Sequence, residues 1–259
     1  SNFPSASNPL PKTSPKYMGR GPYLGMPDKF SVLLLKKASN LTRYAVKNGQ
    51  AMPKEPTPIC VNFLERGSIL FGTCSEIIHH SLDPDHRLHS HIIFNTSLLM
   101  IRGFKDYTHI IPAWIREGAA NYIVRKHDPD THDFSGMKNW NKSKAYPKEW
   151  HIYARRFAKN GLGSPSRKLC LLSDPSEMTF NEHICAWSIV DFLSQLDQGK
   201  QFAQFVARLK APMPALPGKL PSYDTILAAQ ETALKDVFGF TYESLDTAWK
   251  QYAIRTYPR

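Results

Sequence analysis

Two helix-patterned segments in close succession, residues 86–102 and 112–126, constrain the fold more than any other part of the chain. In the first, Leu88, Ile92, Asn95 and Leu99 lie on one side, with His91, Leu98 and Arg102 beside them. Gly103 follows as a stop, and Pro112 stands at the tolerated first turn of the second segment. Both segments place polar side chains where an amphipathic helix would hold apolar ones. His91 and Asn95 are four residues apart and so share a helical face, while Glu117 sits inside Pro112-Ala-Trp-Ile-Arg-Glu117-Gly-Ala-Ala-Asn-Tyr122. Polar groups in such positions belong either to a site or to a network that satisfies itself by hydrogen bonds.

Around this pair the pattern is mixed but mainly helical. Residues 1–27, rich in Pro, Ser, Gly and Asn, read as an extended arm. Asp28 can cap a helix that carries Phe30, Leu33, Leu34, Leu41 and Ala45 on one side. Residues 59–63 and 68–74 are short β-rich runs with a turn between them, which points to a hairpin or to adjacent strands. Residues 127–182 are polar and basic, and read as an insertion or loop region with one short helix near 149–159. From 183 onward helical stripes return: Cys185, Ile189, Phe192, Leu193 and Leu196, then 202–209, 225–238 and 242–257, with a Pro-rich connection at 212–221.

Composition admits a substantial core, since 42% of the 259 residues are hydrophobic and 21% charged. No apolar run approaches the roughly 18 residues of a membrane span. The formal charge of +11 favours acidic partners. Lys142, Lys144, Arg155, Arg156 and Lys159, interleaved with Trp150 and Tyr153, form the stretch that could stack on and neutralise an anionic polymer. The four cysteines form no Cys-x-x-Cys pair. They are either buried thiols or up to two disulfides, with Cys60 and Cys74 the pair that neighbouring strands could bring together.

The segment Leu88-His-Ser-His91-Ile-Ile-Phe-Asn95, followed by Trp114-Ile-Arg-Glu117-Gly118-Ala-Ala-Asn-Tyr122, resembles the gluzincin, or peptidase-MA-like, metalloproteases. The resemblance extends through His183-Ile-Cys-Ala-Trp187 to Tyr242-Glu-Ser-Leu-Asp-Thr-Ala-Trp249-Lys-Gln-Tyr252 and covers roughly residues 28–257. It implies an α+β, mainly helical, zincin-like domain. Its parts would be an N-terminal subdomain at 28–126, with a small β-sheet and two former active-site helices, and a C-terminal helical subdomain at 183–259. In the family a His-Glu-x-x-His helix supplies two zinc ligands and the general base, and a Glu on the next helix supplies the third ligand. By position, His91 and Glu117 keep ligands, Asn95 replaces the second imidazole, and Ile92 stands where the base would be. No two of the ten histidines are four apart, so no other register restores the motif.

The expectation is therefore a catalytically defective pseudopeptidase in which His91, Asn95 and Glu117 form a buried polar network. Trp114, Tyr122 and His183 would line the former cleft, which would bind a peptide or protein; the basic surface would instead take an anionic polymer. No cofactor is expected. The alternatives are a divergent metal-dependent hydrolase holding zinc through His91 and Glu117, and a structural module of a larger protein. The resemblance and the even cysteine count favour a secreted or cell-envelope location.

Overall fold

The structure, a computed structural model, describes residues 31–47, 59–63, 68–78, 84–103, 111–135, 147–210 and 222–258. Strand β1 (Ser31–Leu35), helix α1 (Ala38–Lys47) and strands β2 (Ile59–Phe63) and β3 (Ser68–Cys74) come first. The strands form one sheet of order β1-β3-β2. β1 is parallel to β3, with Leu33 opposite Gly72 and Leu35 opposite Cys74, while β2 is antiparallel to β3, with Cys60 opposite Phe71. The parallel pair needs a crossover, and α1 lies on its path.

Strand β1 corrects the expectation of a helix running on from Asp28. The run Val32-Leu33-Leu34-Leu35 satisfies a helical stripe as well as a short strand, and pairing with β3 decides between them. The strand period then shows in the burial. Val32 and Leu34 are half exposed, whereas Leu33 and Leu35 pack with Leu41, Ala45 and Cys74. Leu41 and Ala45 do lie on the buried face of a helix, but that helix starts at Ala38. β2 and β3 are neighbours, as their sequences suggest, yet the register sets Cys60 three residues away from facing Cys74.

Helices α2 (Pro84–Gly103), α3 (Ala113–His127), α4 (Trp150–Asn160), α5 (Ser166–Leu171), α6 (Phe180–Gln195), α7 (Lys200–Lys210), α8 (Tyr223–Phe238) and α9 (Tyr242–Thr256) complete the described chain. α6 is the central element. A capping box opens it, with Thr179 N donating to Glu182 Oε2 at 2.7 Å and Glu182 N donating back to Thr179 Oγ1 at 3.4 Å. Its residues Ile184, Cys185, Ala186, Trp187, Ile189, Val190 and Leu193 are all buried, which is the pattern of a helix surrounded by others.

α3 packs against α6 at very close range. A Cβ on Gly118 would lie 2.6 Å from the Ala186 carbonyl oxygen and 2.9 Å from Val190 Cγ2. The glycine after Glu117 is thus required by the contact between these two helices.

One hydrophobic cluster runs from Ile111 to Tyr257 and includes Trp150, Ala154, Phe157, Leu169, Cys170 and Met178. The short helix expected near 149–159 is α4, while the rest of the region expected as an insertion or loop also builds α5 and supplies part of the main core. The same cluster joins α3 to α6–α9, so the C-terminal helices share their core with the helix that carries Glu117. Cys170 and Cys185 are buried free thiols within it. No helix among the described residues is long and apolar enough to cross a membrane. The expected arm at 1–27, the turn at 64–67 and the Pro-rich connection at 212–221 lie outside the described residues.

Candidate functional site

Three helices and one extended segment bring polar side chains together. α2 carries His91, which is 3% exposed and lies with its ring centroid 5.8 Å from that of Phe71 on β3. Asn95, one turn on, donates from Nδ2 to the His91 carbonyl oxygen at 2.9 Å, and the same nitrogen stands 3.4 Å from His91 Nε2. α3 contributes Glu117 and Asn121, both fully buried, and α6 contributes His183, also buried. The segment 131–135, between α3 and α4, passes among them.

That segment satisfies the two residues the resemblance singles out. His91 Nδ1 is 2.8 Å from Asp133 Oδ2. Ser135 donates to both oxygens of Glu117, from its amide to Oε2 at 3.2 Å and from its hydroxyl to Oε1. The segment is held in place at almost every residue. Arg125 donates to the Thr131 carbonyl at 2.9 Å and Arg87 to the His132 carbonyl at 2.9 Å. Asn121 grips the Asp133 backbone from both sides, accepting from its amide at 3.1 Å and donating to its carbonyl at 2.9 Å. Phe134 packs its ring 4.5 Å from His183 between centroids. Arg125 also donates to the Lys148 carbonyl at 2.8 Å while lying over the rings of Trp150 and Trp187, so one guanidinium ties together residues 131 and 148.

Burial sets the electrostatics. Desolvation pushes the Glu117 carboxyl up to about 7, against the opposing influence of Arg116 and the Ser135 hydrogen bonds. Desolvation lowers His183 to about 3, and lowers His132 to about 3 with help from Arg87 and Arg125. His183 Nδ1 is 3.8 Å from Glu117 Oε2, too far for a hydrogen bond, and neither ring nitrogen of His183 has a hydrogen-bond partner. Between about pH 3 and 7 the pair is thus a protonated acid beside a neutral imidazole.

His91, Asn95 and Glu117 are each part of buried or half-buried polar contacts, but the contacts differ from those expected. His91 and Asn95 touch one another, while Glu117 is bonded to Ser135. Trp114 does not line a cleft: it is 1% exposed, and its Nε1 donates to Gln230 Oε1 at 2.8 Å inside the core. Tyr122 is half-buried, and its hydroxyl accepts from Lys126 Nζ at 3.1 Å. Ile92 is half-buried on α2. Arg155 spends its guanidinium on the carbonyls of Ile254 and Tyr257, tying α4 to the end of α9, while Arg156 and Lys159 are exposed. Lys142 and Lys144 lie outside the described residues.

Sequence reasoning missed Asp133, Ser135 and Asn121. Asn121 did carry a signal, since it stands one helical turn after Glu117 just as Asn95 does after His91. Asp133 and Ser135 carried none, being two polar residues in a polar loop.

The donors present do not suit a tetrahedral zinc site. The amide of Asn95 is turned to the backbone, the Glu117 carboxyl accepts two hydrogen bonds from Ser135, and Asp133 occupies His91 Nδ1. Among the described residues no group of three or more His, Cys, Asp or Glu side chains is arranged to hold a metal ion. Comparison with protein-family models, with curated proteins and with solved structures gives no match for this chain.

Proposed function

We propose that this chain is a non-proteolytic binding module on a metallopeptidase-like scaffold. The observation that carries this reading is the closure of Glu117 and His91 by residues 131–135. A hydrolytic site presents its carboxylate and imidazole to water and substrate. Here both are buried and bonded to Ser135 and Asp133.

The chemistry left for the surface is electrostatic. The chain carries 33 Lys and Arg against 22 Asp and Glu. Arg156 and Lys159 on α4, Arg167 and Lys168 on α5 and Lys250 and Arg255 on α9 are exposed. An anionic polymer or acidic peptide is the partner class this charge favours.

Two measurements on the full chain test the reading. Incubation with a broad peptide mixture, with and without added zinc, should give no cleavage, and retention on immobilised heparin should weaken steeply as salt rises. Cleavage abolished by Glu117→Gln would overturn the non-proteolytic reading. Failure to be retained on heparin at low salt would remove the anionic partner and leave a structural module.

A further inference from the structure

Cations and exposed apolar side chains alternate on the surface built by α4, α5 and α9. Residues 150–173 hold five Lys and Arg and no Asp or Glu, and residues 247–258 hold Lys250 and Arg255 and again no acid. The two stretches run side by side in opposite directions. Arg155 donates to the carbonyls of Ile254 and Tyr257 near the end of α9. A Cβ on Gly163 would meet the Trp249 ring at 2.8 Å. At the start of α9, Ser166 donates from its amide to Asp246 Oδ1 at 2.9 Å and from its hydroxyl to the Tyr242 carbonyl at 3.1 Å.

Four of the nine large hydrophobic side chains exposed among the described residues stand in these same stretches, namely Ile152, Leu162, Leu171 and Ile254. Each helix sets one of them four residues from an exposed cation, so that the two share a face: Ile152 with Arg156 on α4, Leu171 with Arg167 on α5 and Ile254 with Lys250 on α9. Ile152 lies one turn before Arg155, whose guanidinium reaches the Ile254 carbonyl, so the pairs on α4 and α9 are neighbours. Leu162 extends the strip, between the left-handed Gly161 that ends α4 and Gly163 against Trp249. The acids at the margin are set apart or engaged. Glu149 and Glu243 stand at the starts of α4 and α9, which are opposite ends of the antiparallel pair. Glu182 meets Lys168 at 2.8 Å, and Asp246 accepts from Ser166.

We propose that this face docks the protein onto an anionic lipid surface. A polyanion neutralises cations and gains little from isoleucine and leucine exposed between them. A bilayer interface rewards both. Acidic headgroups neutralise Lys and Arg, while apolar side chains enter the boundary between headgroups and acyl chains. Charge complementarity thus selects an acidic partner, and the interleaved Ile152, Leu162 and Ile254 select a lipid one. The inference rests on the basic surface of the proposed binding module and names its anionic partner; it is independent of whether peptides are cleaved.

The test is co-sedimentation of the full chain with vesicles of phosphatidylcholine alone and of an equimolar mixture with phosphatidylserine, beside retention on heparin. Binding to the mixed vesicles, weakened by salt, and none to the neutral ones is expected. Arg156→Ala and Lys250→Ala should each lower the vesicle-bound partition about fivefold. Ile152→Ser combined with Ile254→Ser should lower it roughly tenfold and leave heparin retention unchanged. All four positions are exposed, and unchanged circular dichroism verifies the fold of each variant. No sedimentation with the mixed vesicles would overturn the proposal; heparin retention would then still support the charge-based binding reading, and its absence as well would sink both. Vesicle binding that falls in the cation variants but not in the isoleucine pair would also overturn the proposal and give the surface to a polyanion.

Discussion

Asp133 illustrates how much one side chain can decide. Its carboxyl meets His91 Nδ1 at 2.8 Å and accepts from the Phe134 amide at 2.6 Å, with 1% of the residue exposed. Truncation would strip a polar contact from two buried groups, at about 1–3 kcal/mol each. Asp133→Ala is therefore expected to destabilise the protein by about 2–4 kcal/mol, measured by urea unfolding at neutral pH. His183 makes the opposite case. It is buried, lacks a hydrogen bond, and has its imidazole lowered from 6.5 to about 3. Between those values the unfolded chain takes up a proton that the folded protein refuses, so acidification removes stability. His183→Phe places an apolar ring beside Phe134 and removes this loss. It should stabilise the protein at pH 5 by about 2 kcal/mol and change little above pH 7, as read from unfolding curves at the two pH values. Equal effects at both would show that packing, not protonation, governs the site.

At the scale of elements, the contact between α3 and α6 holds the network in place. Gly118→Ala would gain the 0.5–1 kcal/mol or so of helix propensity that alanine has over glycine. The added methyl, however, meets backbone as well as a side chain, with the Ala186 carbonyl oxygen at 2.6 Å. Backbone cannot rotate away, so the net expectation is a loss of about 1–3 kcal/mol. The loss should come with a changed environment for Trp187, followed by near-ultraviolet circular dichroism. The segment 131–135 is the second decisive element. Without regular structure of its own, it is fixed by Arg125, Arg87 and Asn121, and through it Asp133 and Ser135 reach His91 and Glu117. Its position depends on contacts from two other helices, and for that reason no local pattern announced it. Helices α4, α7 and α9 were legible because each buries a stripe at helical spacing, whereas the six residues of α5 are too few to show one. β1 was not, because four consecutive apolar residues, Val32 to Leu35, suit either state until a partner strand is present.

For the whole molecule, three buried groups set the acid response. Between about 4.5 and 6.5 the unfolded chain binds two protons at His132 and His183 that the folded protein excludes, and the folded protein keeps one on Glu117 that the unfolded chain has released. Stability from these groups should fall by about 1.4 kcal/mol per pH unit, one net proton, as pH drops through this window. From 6.5 to about 7 the remaining Glu117 contribution reverses the slope, since rising pH forces a charge into the core. Unfolding free energies from pH 4.5 to 8 test both limbs, and Glu117→Gln should abolish the upper one. The sequence by itself determined the helical stripes, the two strands at 59–63 and 68–74 and the placement of His91, Asn95 and Glu117 on two successive helices, because periodicity and turn chemistry are local. It also determined that Ile92 offers no base, since that rests on side-chain identity alone. Only the tertiary structure decided that Trp114 is core, that Arg155 caps α9 and that Asp133 and Ser135 occupy the polar groups of α2 and α3. Each of these depends on which surfaces meet, and hydrogen bonds between residues far apart in sequence leave no period to read.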